Sequence, residues 1–150
     1  MKVGDVCNRV VIFVTQDEPV QRAAELMRKY HVGNLVVTEF GDKDKVPVGV
    51  ITDRDIVLEV VAKGIDPEDI TVGDIISQDP PLVAGEEERI PDILEAMREQ
   101  GVRRVPVVGA KRDLVGVLAL DDLLQMIAIQ LGTMADIVGS QRLQEAEARQ

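Results

Sequence analysis

The sequence predicts an α+β fold built as a tandem repeat, and three observations carry this reading. An apolar helical stripe, Val20, Ala23, Ala24, Leu26 and Met27, recurs as Ile90, Ile93, Leu94, Ala96 and Met97, a spacing of about 70 residues. Two short β-branched runs separated by a turn follow each stripe. A preface also repeats, as Val3-Gly4-Asp5-Val6 and Val72-Gly73-Asp74-Ile75.

Each half therefore reads as short helix, strand, helix, strand, strand, helix. The stripe helices start near Pro19 and Pro91, with Asp17 and Glu18 ahead of the first and Glu86 to Glu88 ahead of the second. Proline at a first turn and acids beside the positive end of the dipole are both start signals. Strands follow at Gly33–Thr38 and Arg103–Val108, then turns over Gly41–Lys45 and Gly109–Asp113. The second strands, Val48–Ile51 and Leu114–Leu118, run directly into helices expected over Asp53–Lys63 and from Asp121 to about Leu131. One such unit buries too little surface to be secure alone, whereas two can pool their aliphatic faces. The expected division is residues 1–66 for the first repeat, 67–133 for the second and 134–150 for a C-terminal tail. Ile65 to Thr71 forms the joint, and Gln141 to Gln150 reads as a frayed helix or a disordered tail.

Composition excludes several classes of function. Aromatics are 2% of the 150 residues, with no Trp, so stacking of nucleic-acid bases on aromatic platforms has little to work with. Seventeen basic against 27 acidic residues give a net charge of −10, which repels nucleic acid and anionic membranes. One cysteine, Cys7, and one histidine, His31, leave no basis for a disulfide, a Cys- or His-based metal site or a Ser-His-Asp triad. No membrane span or leader is read from the sequence, and the expected compartment is the cytoplasm.

The segment Gly49-Val50-Ile51-Thr52-Asp53-Arg54-Asp55-Ile56 holds the most chemistry. Glycine allows close approach of a ligand to the backbone. Thr52 offers a hydroxyl where the next helix exposes unpaired amides, a setting that suits phosphate. Arg54 adds a guanidinium fork, and Asp55 offers acceptors for a ribose diol. Thr52-x-x-Asp55 fits a helix-capping box equally well, and the segment alone leaves both readings open.

With these marks, namely both Val-Gly-Asp prefaces, the stripes and the strand–helix pattern Gly-h-x-Thr/Ser-x-x-Asp-h (h apolar), the sequence resembles a CBS-domain pair, named for cystathionine β-synthase. The likeness runs from Met1 to about Gly132. It implies tandem repeats related by a pseudo-twofold axis, packed through their sheets around a central cleft, and pairing into a homodimer. It also implies a regulatory role, such as energy sensing, with AMP, ADP, ATP, S-adenosylmethionine or another adenosyl compound as ligand. By that resemblance Thr52 contacts phosphate and Asp55 the ribose. Val14 and Thr15 line the adenine pocket with the backbone around Val50.

The second repeat departs from the pattern. Ala119 replaces the hydroxyl and Asp121 replaces Arg54, while Asp122 keeps the ribose-type acid. Alanine cannot donate to phosphate and an added carboxylate repels it, so this site reads as empty or as taking an uncharged group, and Asp122 reads as a helix-start residue ahead of a ribose contact. Arg103 and Arg104 stand where the first repeat has Gly33 and Asn34. They are either a solvated pair at a helix end or a second grip on a phosphate held by Thr52. His31 reads as a helix-end residue, Cys7 as a small buried hydrophobe and Glu86–Glu88 as an acidic helix start.

The resulting expectation is a non-catalytic module that binds an adenosine-containing nucleotide and signals through its homodimer to a separate, unidentified protein. The alternative is a dimerisation module that needs no ligand. An enzyme would need a positioned base and usually a metal shell, and no paired acidic cluster supplies them.

Overall fold

The computed structural model describes residues 1–39 and 45–149, so most of the turn expected over Gly41–Lys45 lies outside the described residues. The first half runs α1 (Val3–Val6), β1 (Phe13–Thr15), α2 (Val20–Tyr30), β2 (Asn34–Thr38), β3 (Pro47–Thr52) and α3 (Asp53–Ile56). The second runs α4 (Val72–Ile75), β4 (Ala84–Gly85), α5 (Ile90–Gln100), β5 (Arg104–Val108), β6 (Leu114–Ala119) and α6 (Leu120–Ala148). The strands form two three-stranded sheets, β1-β2-β3 and β4-β5-β6. In each, the first strand lies parallel to the second, and β2 pairs antiparallel with β3.

Local chemistry accounts for these elements. The α2 stripe buries Val20, Ala23, Leu26 and Met27, and the α5 stripe buries Ile90, Ile93 and Met97. Both helices end in a left-handed residue, His31 (φ 53°) and Gly101 (φ 66°). His31 is thus the C-cap of α2, and its amide bonds back to Met27 O. In the first sheet Val14, Leu35, Val37 and Ile51 face Ala23, Leu26 and Met27 of α2, with Val72 and Ile76 completing the cluster. The helix expected over Asp53–Lys63 changes after one turn into a π-helical segment, Val57–Val61, in which Ala62 N–H bonds to Val57 O at 2.9 Å.

The prefaces do not pack on the repeats they introduce. Val3 and Gly4 of α1 donate to Glu88 O and Glu86 O at 2.9 Å each, while Val72 and Gly73 of α4 donate to Glu18 O at 2.9 Å and Gln16 O at 2.8 Å. Each repeat thus receives the other's lead-in helix. The exchange explains paired glycines. A Cβ on Gly73 would stand 2.9 Å from Gln16 O, and one on Gly4 would stand 3.1 Å from Glu86 O. The chain leaving each lead-in then crosses the other repeat's last strand. Asn8 and Val117 exchange backbone bonds at 2.9 Å each. A Cβ on Gly116 would meet Asn8 O and Cys7 Sγ at 2.9 Å, and one on Gly49 would meet Ile76 Cδ1 at 3.0 Å. Cys7 is therefore half-buried at this crossing rather than part of the core.

The chain divides into two compact units, Met1–Leu118 and Ala119–Gln150. The second is essentially α6, which continues unbroken from the expected stop near Leu131 to Ala148. Among the described residues α6 is the one helix long and apolar enough, by length and composition, to cross a membrane. That finding qualifies the sequence reading that no segment could do so. Asp136 sits within its apolar stretch.

Candidate ligand site at the β3–α3 junction

β3 ends in extended backbone at Thr52 (φ −112°, ψ 160°), and α3 starts at the next residue. Thr52 Oγ1 accepts from Asp55 N–H at 3.1 Å, and Asp55 Oδ2 accepts from Thr52 N–H at 2.9 Å. The capping box is therefore formed. It does not use up either side chain, because the Thr52 hydroxyl still has a proton to donate and Asp55 a second oxygen. The box is no ligand signature by itself. Thr71 and Asp74 build the same pair at the start of α4, at 3.3 and 3.0 Å.

What separates the two junctions is their surroundings. Asn34 pairs with Thr52 and Val36 with Val50 across the β2–β3 ladder, so these four side chains share one sheet face. Arg104 of the second repeat reaches this face. With its amide oriented to accept, Asn34 Oδ1 takes bonds from Arg104 Nε at 3.0 Å and Nη1 at 3.1 Å. Arg103 precedes it and is exposed, as is Arg54 on α3. Asp53 is occupied locally: its Oδ1 accepts from Arg54 N–H at 2.8 Å, and its own N–H bonds to Gly33 O at 3.0 Å. A Cβ on Gly33 would lie 3.2 Å from Asp53 Oδ2, which leaves glycine at the corner where the second repeat has Arg103.

Several expected members stand elsewhere. Val14 is a core residue, 1% exposed and packed among the aliphatic residues facing α2; it has no surface to offer a ligand. Thr15 is level with Thr38, at the opposite end of the sheet from Thr52. The offset is four residue steps and two strands, roughly 16 Å. Its hydroxyl donates to Asp17 at 2.6 Å and its amide to Glu18 at 2.8 Å, so Thr15 organises the turn into α2. Gly49 makes room for Ile76 rather than for a ligand. The acidic run Glu86–Glu88 clasps α1, with Glu86 paired to Arg9 and Glu87 to Lys2. These pairs hold the Lys2 ammonium and the Arg9 guanidinium above their usual pKa values, mainly through the hydrogen bonds to Glu87 and Glu86. Glu88 Oε1 accepts from Gly85 N–H at 3.1 Å.

In the second unit, Ala119 is the N-cap of α6 and makes no side-chain cap bond. Asp122 is exposed in the first turn beside Asp121. The residue missed in the sequence is Asn34. Its signal was the 70-residue repeat itself, which sets Asn34 opposite Arg104 in the alignment of the halves. Among the described residues no three His, Cys, Asp or Glu side chains gather to hold a metal ion.

Two α+β repeats that exchange lead-in helices and meet at the starts of β2 and β5 define a paired-repeat module. The chain belongs to the CBS domain family, whose model matches residues 3–62 and 72–129. An uncharacterised protein of Methanopyrus kandleri is 32% identical over 91% of this chain and 67% of its own length. Hypoxic response protein 1 of Mycobacterium tuberculosis is 36% identical over 79% of this chain and 80% of its own. A crystal structure of Hypoxic Response Protein I, with two coordinated zinc ions, covers 83% of this chain and 98% of its own at a TM-score of 0.72 and 32% identity. A CBS domain protein from Pyrobaculum aerophilum complexed with AMP superposes at a TM-score of 0.73, with 27% identity over 89% of this chain and 99% of its own.

Proposed function

We propose that this protein is a non-catalytic regulatory module that binds a phosphorylated adenosine ligand at the β3–α3 junction and signals through a homodimer to a separate protein. The observation that carries the reading is the meeting of Thr52, on the first repeat, with Arg104 of the second, through Asn34. A hydroxyl donor, a guanidinium from each repeat (Arg54 and Arg104, with Arg103 beside the latter) and the Asp55 carboxylate are the groups a nucleoside phosphate needs. Thr52 and the arginines take the phosphate, Asp55 the ribose hydroxyls, and Val50 an apolar wall. AMP in the Pyrobaculum relative supports an adenosine ligand. The second repeat, with Ala119 and Asp121 in place of Thr52 and Arg54, contributes arginines to the first site rather than a second phosphate seat. A ligand that bridges the repeats favours one arrangement of them, and its effect equals its differential affinity for the two arrangements.

The test is a thermal-shift titration of the ligand-stripped protein with AMP, ADP, ATP, S-adenosylmethionine and guanine nucleotides. A ligand at 100 times its dissociation constant adds about 2.7 kcal/mol of stability. Thr52→Ala with Asp55→Ala removes the shift. Thr71→Ala with Asp74→Ala breaks an equivalent cap away from the site and retains it. No shift with any of these ligands, or equal shifts in both double variants, refutes the site and favours the ligand-independent dimerisation module.

A further inference from the structure

Positions 34 and 104 open β2 and β5, the same place in the two repeats, yet their chemistry differs. Asn34 is half-buried and Arg104 is exposed. With its amide oriented to accept, Asn34 Oδ1 takes bonds from Arg104 Nε at 3.0 Å and Nη1 at 3.1 Å. One neutral oxygen therefore holds a long cationic side chain at two of its nitrogens. The backbone of Asn34 is in turn fixed by its pairing with Thr52 across the ladder, so the anchor is tied to the end of β3.

The identity of the pair matters as much as its geometry. Arginine at both equivalent positions would set two like charges at hydrogen-bonding distance, and asparagine at both would leave no charge. Aspartate at position 34 would hold Arg104 more strongly, in a charge-assisted pair, and would cancel its charge beside Thr52. A neutral acceptor opposite a guanidinium orders the arginine and keeps a positive field at the strand end. Ordering it in advance removes a cost that a ligand would otherwise meet on binding.

We propose that Asn34 is a positioning residue: its neutral amide holds the Arg104 guanidinium of the second repeat beside the Thr52 strand end of the first, ordered and still charged, so that the site selects phosphorylated over unphosphorylated adenosine ligands. This role rests on the phosphate reading above, and a measurement without nucleotide keeps the two separable.

Heteronuclear NMR of the nucleotide-free protein reports the anchor. Arg104 Nε–H gives a resolved, slowly exchanging resonance in the wild type, assigned by its loss in Arg104→Ala, and in Asn34→Ala it exchanges fast with solvent. Calorimetry with AMP and adenosine reports the charge. Asn34→Ala weakens AMP binding about three- to tenfold, the cost of ordering one rotamer-rich side chain, and leaves adenosine unchanged. In an Arg104→Ala background the same substitution changes AMP affinity by less than about twofold, because its partner is gone. Asn34→Asp keeps the slow Nε–H and binds AMP more weakly than Asn34→Ala. Should the alanine variant misfold, the near-isosteric Asn34→Leu replaces it.

A wild-type Nε–H that exchanges as fast as in Asn34→Ala overturns the anchor, whatever the nucleotide result. So do equal losses for AMP and adenosine, or additive losses in the double variant, which would mean that Asn34 meets the ligand itself. AMP binding by Asn34→Asp at wild-type strength overturns the role of the neutral amide. A slow Nε–H in a wild type that binds no AMP refutes the phosphate site, and with it the selectivity, while the anchor stands as a structural bond.

Discussion

Asn34 and Arg104 occupy the same place in the two repeats, the first residues of β2 and β5, and they are bonded to each other: Asn34 Oδ1 accepts from Arg104 Nε at 3.0 Å and from Nη1 at 3.1 Å. Asn34 also pairs with Thr52 in the sheet. The bond therefore places a guanidinium of one repeat next to the strand end of the other, where a flexible arginine would otherwise sample solvent.

In the proposed site this pairing would make Arg104 a reader of charge on the ligand. Arg104→Ala lowers affinity for AMP by tenfold or more and leaves adenosine unchanged, as measured by calorimetry. Arg104→Lys recovers less than half of the lost binding free energy, because an ammonium cannot reproduce the planar fork. Equal losses for AMP and adenosine would mean that Arg104 acts on packing alone.

The exchanged lead-ins rest on glycines. Gly73→Ala sets a Cβ 2.9 Å from Gln16 O, and Gly116→Ala sets one 2.9 Å from Asn8 O. Both neighbours are backbone and cannot rotate away. Each substitution destabilises by about 1–3 kcal/mol, visible as a lower urea midpoint with little change in slope. Gly64→Ala has open space, but its φ of +67° is a left-handed conformation that costs alanine about 1 kcal/mol. The comparison separates crowding from backbone strain.

Asp74 links stability to pH. Hydrogen bonds from the Thr71 backbone and hydroxyl hold its carboxyl below the usual pKa. A depressed folded pKa contributes stability that is complete above the unfolded value and is lost as pH falls through the folded one. The stability difference between wild type and Asp74→Asn is thus largest from neutral pH down to the ordinary carboxylate range and shrinks below it. Urea midpoints measured from pH 6 to pH 2 report this. A difference that grows toward acid would contradict the capping role.

Ala119 leaves α6 without a side-chain cap. Ala119→Ser restores the pattern of the first repeat, with Asp122 three residues on, and adds about 1 kcal/mol of stability. It does not create a second AMP site, because Asp121 still stands where the first repeat has Arg54. Calorimetric stoichiometry distinguishes the outcomes: one AMP per chain before and after the substitution supports a single phosphate seat.

The order of elements was legible because helical stripes, β-branched runs and turn residues are local signals. The repeat made each half a check on the other. Thr52-x-x-Asp55 was legible as a pattern with two readings, and the structure forms the cap while leaving a hydroxyl proton and a carboxylate oxygen for a ligand. Val14 and Thr15 were misplaced because a strand's residues look alike in sequence. Only the register sets Thr15 beside Thr38 and turns Val14 into the core.

By itself the sequence determined two α+β units, their aliphatic cores, the acidic surface and the unequal strand–helix junctions. The tertiary structure decided which lead-in helix serves which repeat, why Gly49 and Gly116 are glycine, and that Asn34 meets Arg104. These depend on contacts between residues far apart in the chain, from 27 positions for Gly49 and Ile76 to 108 for Gly116 and Asn8, where pattern records what each segment buries but not against which partner.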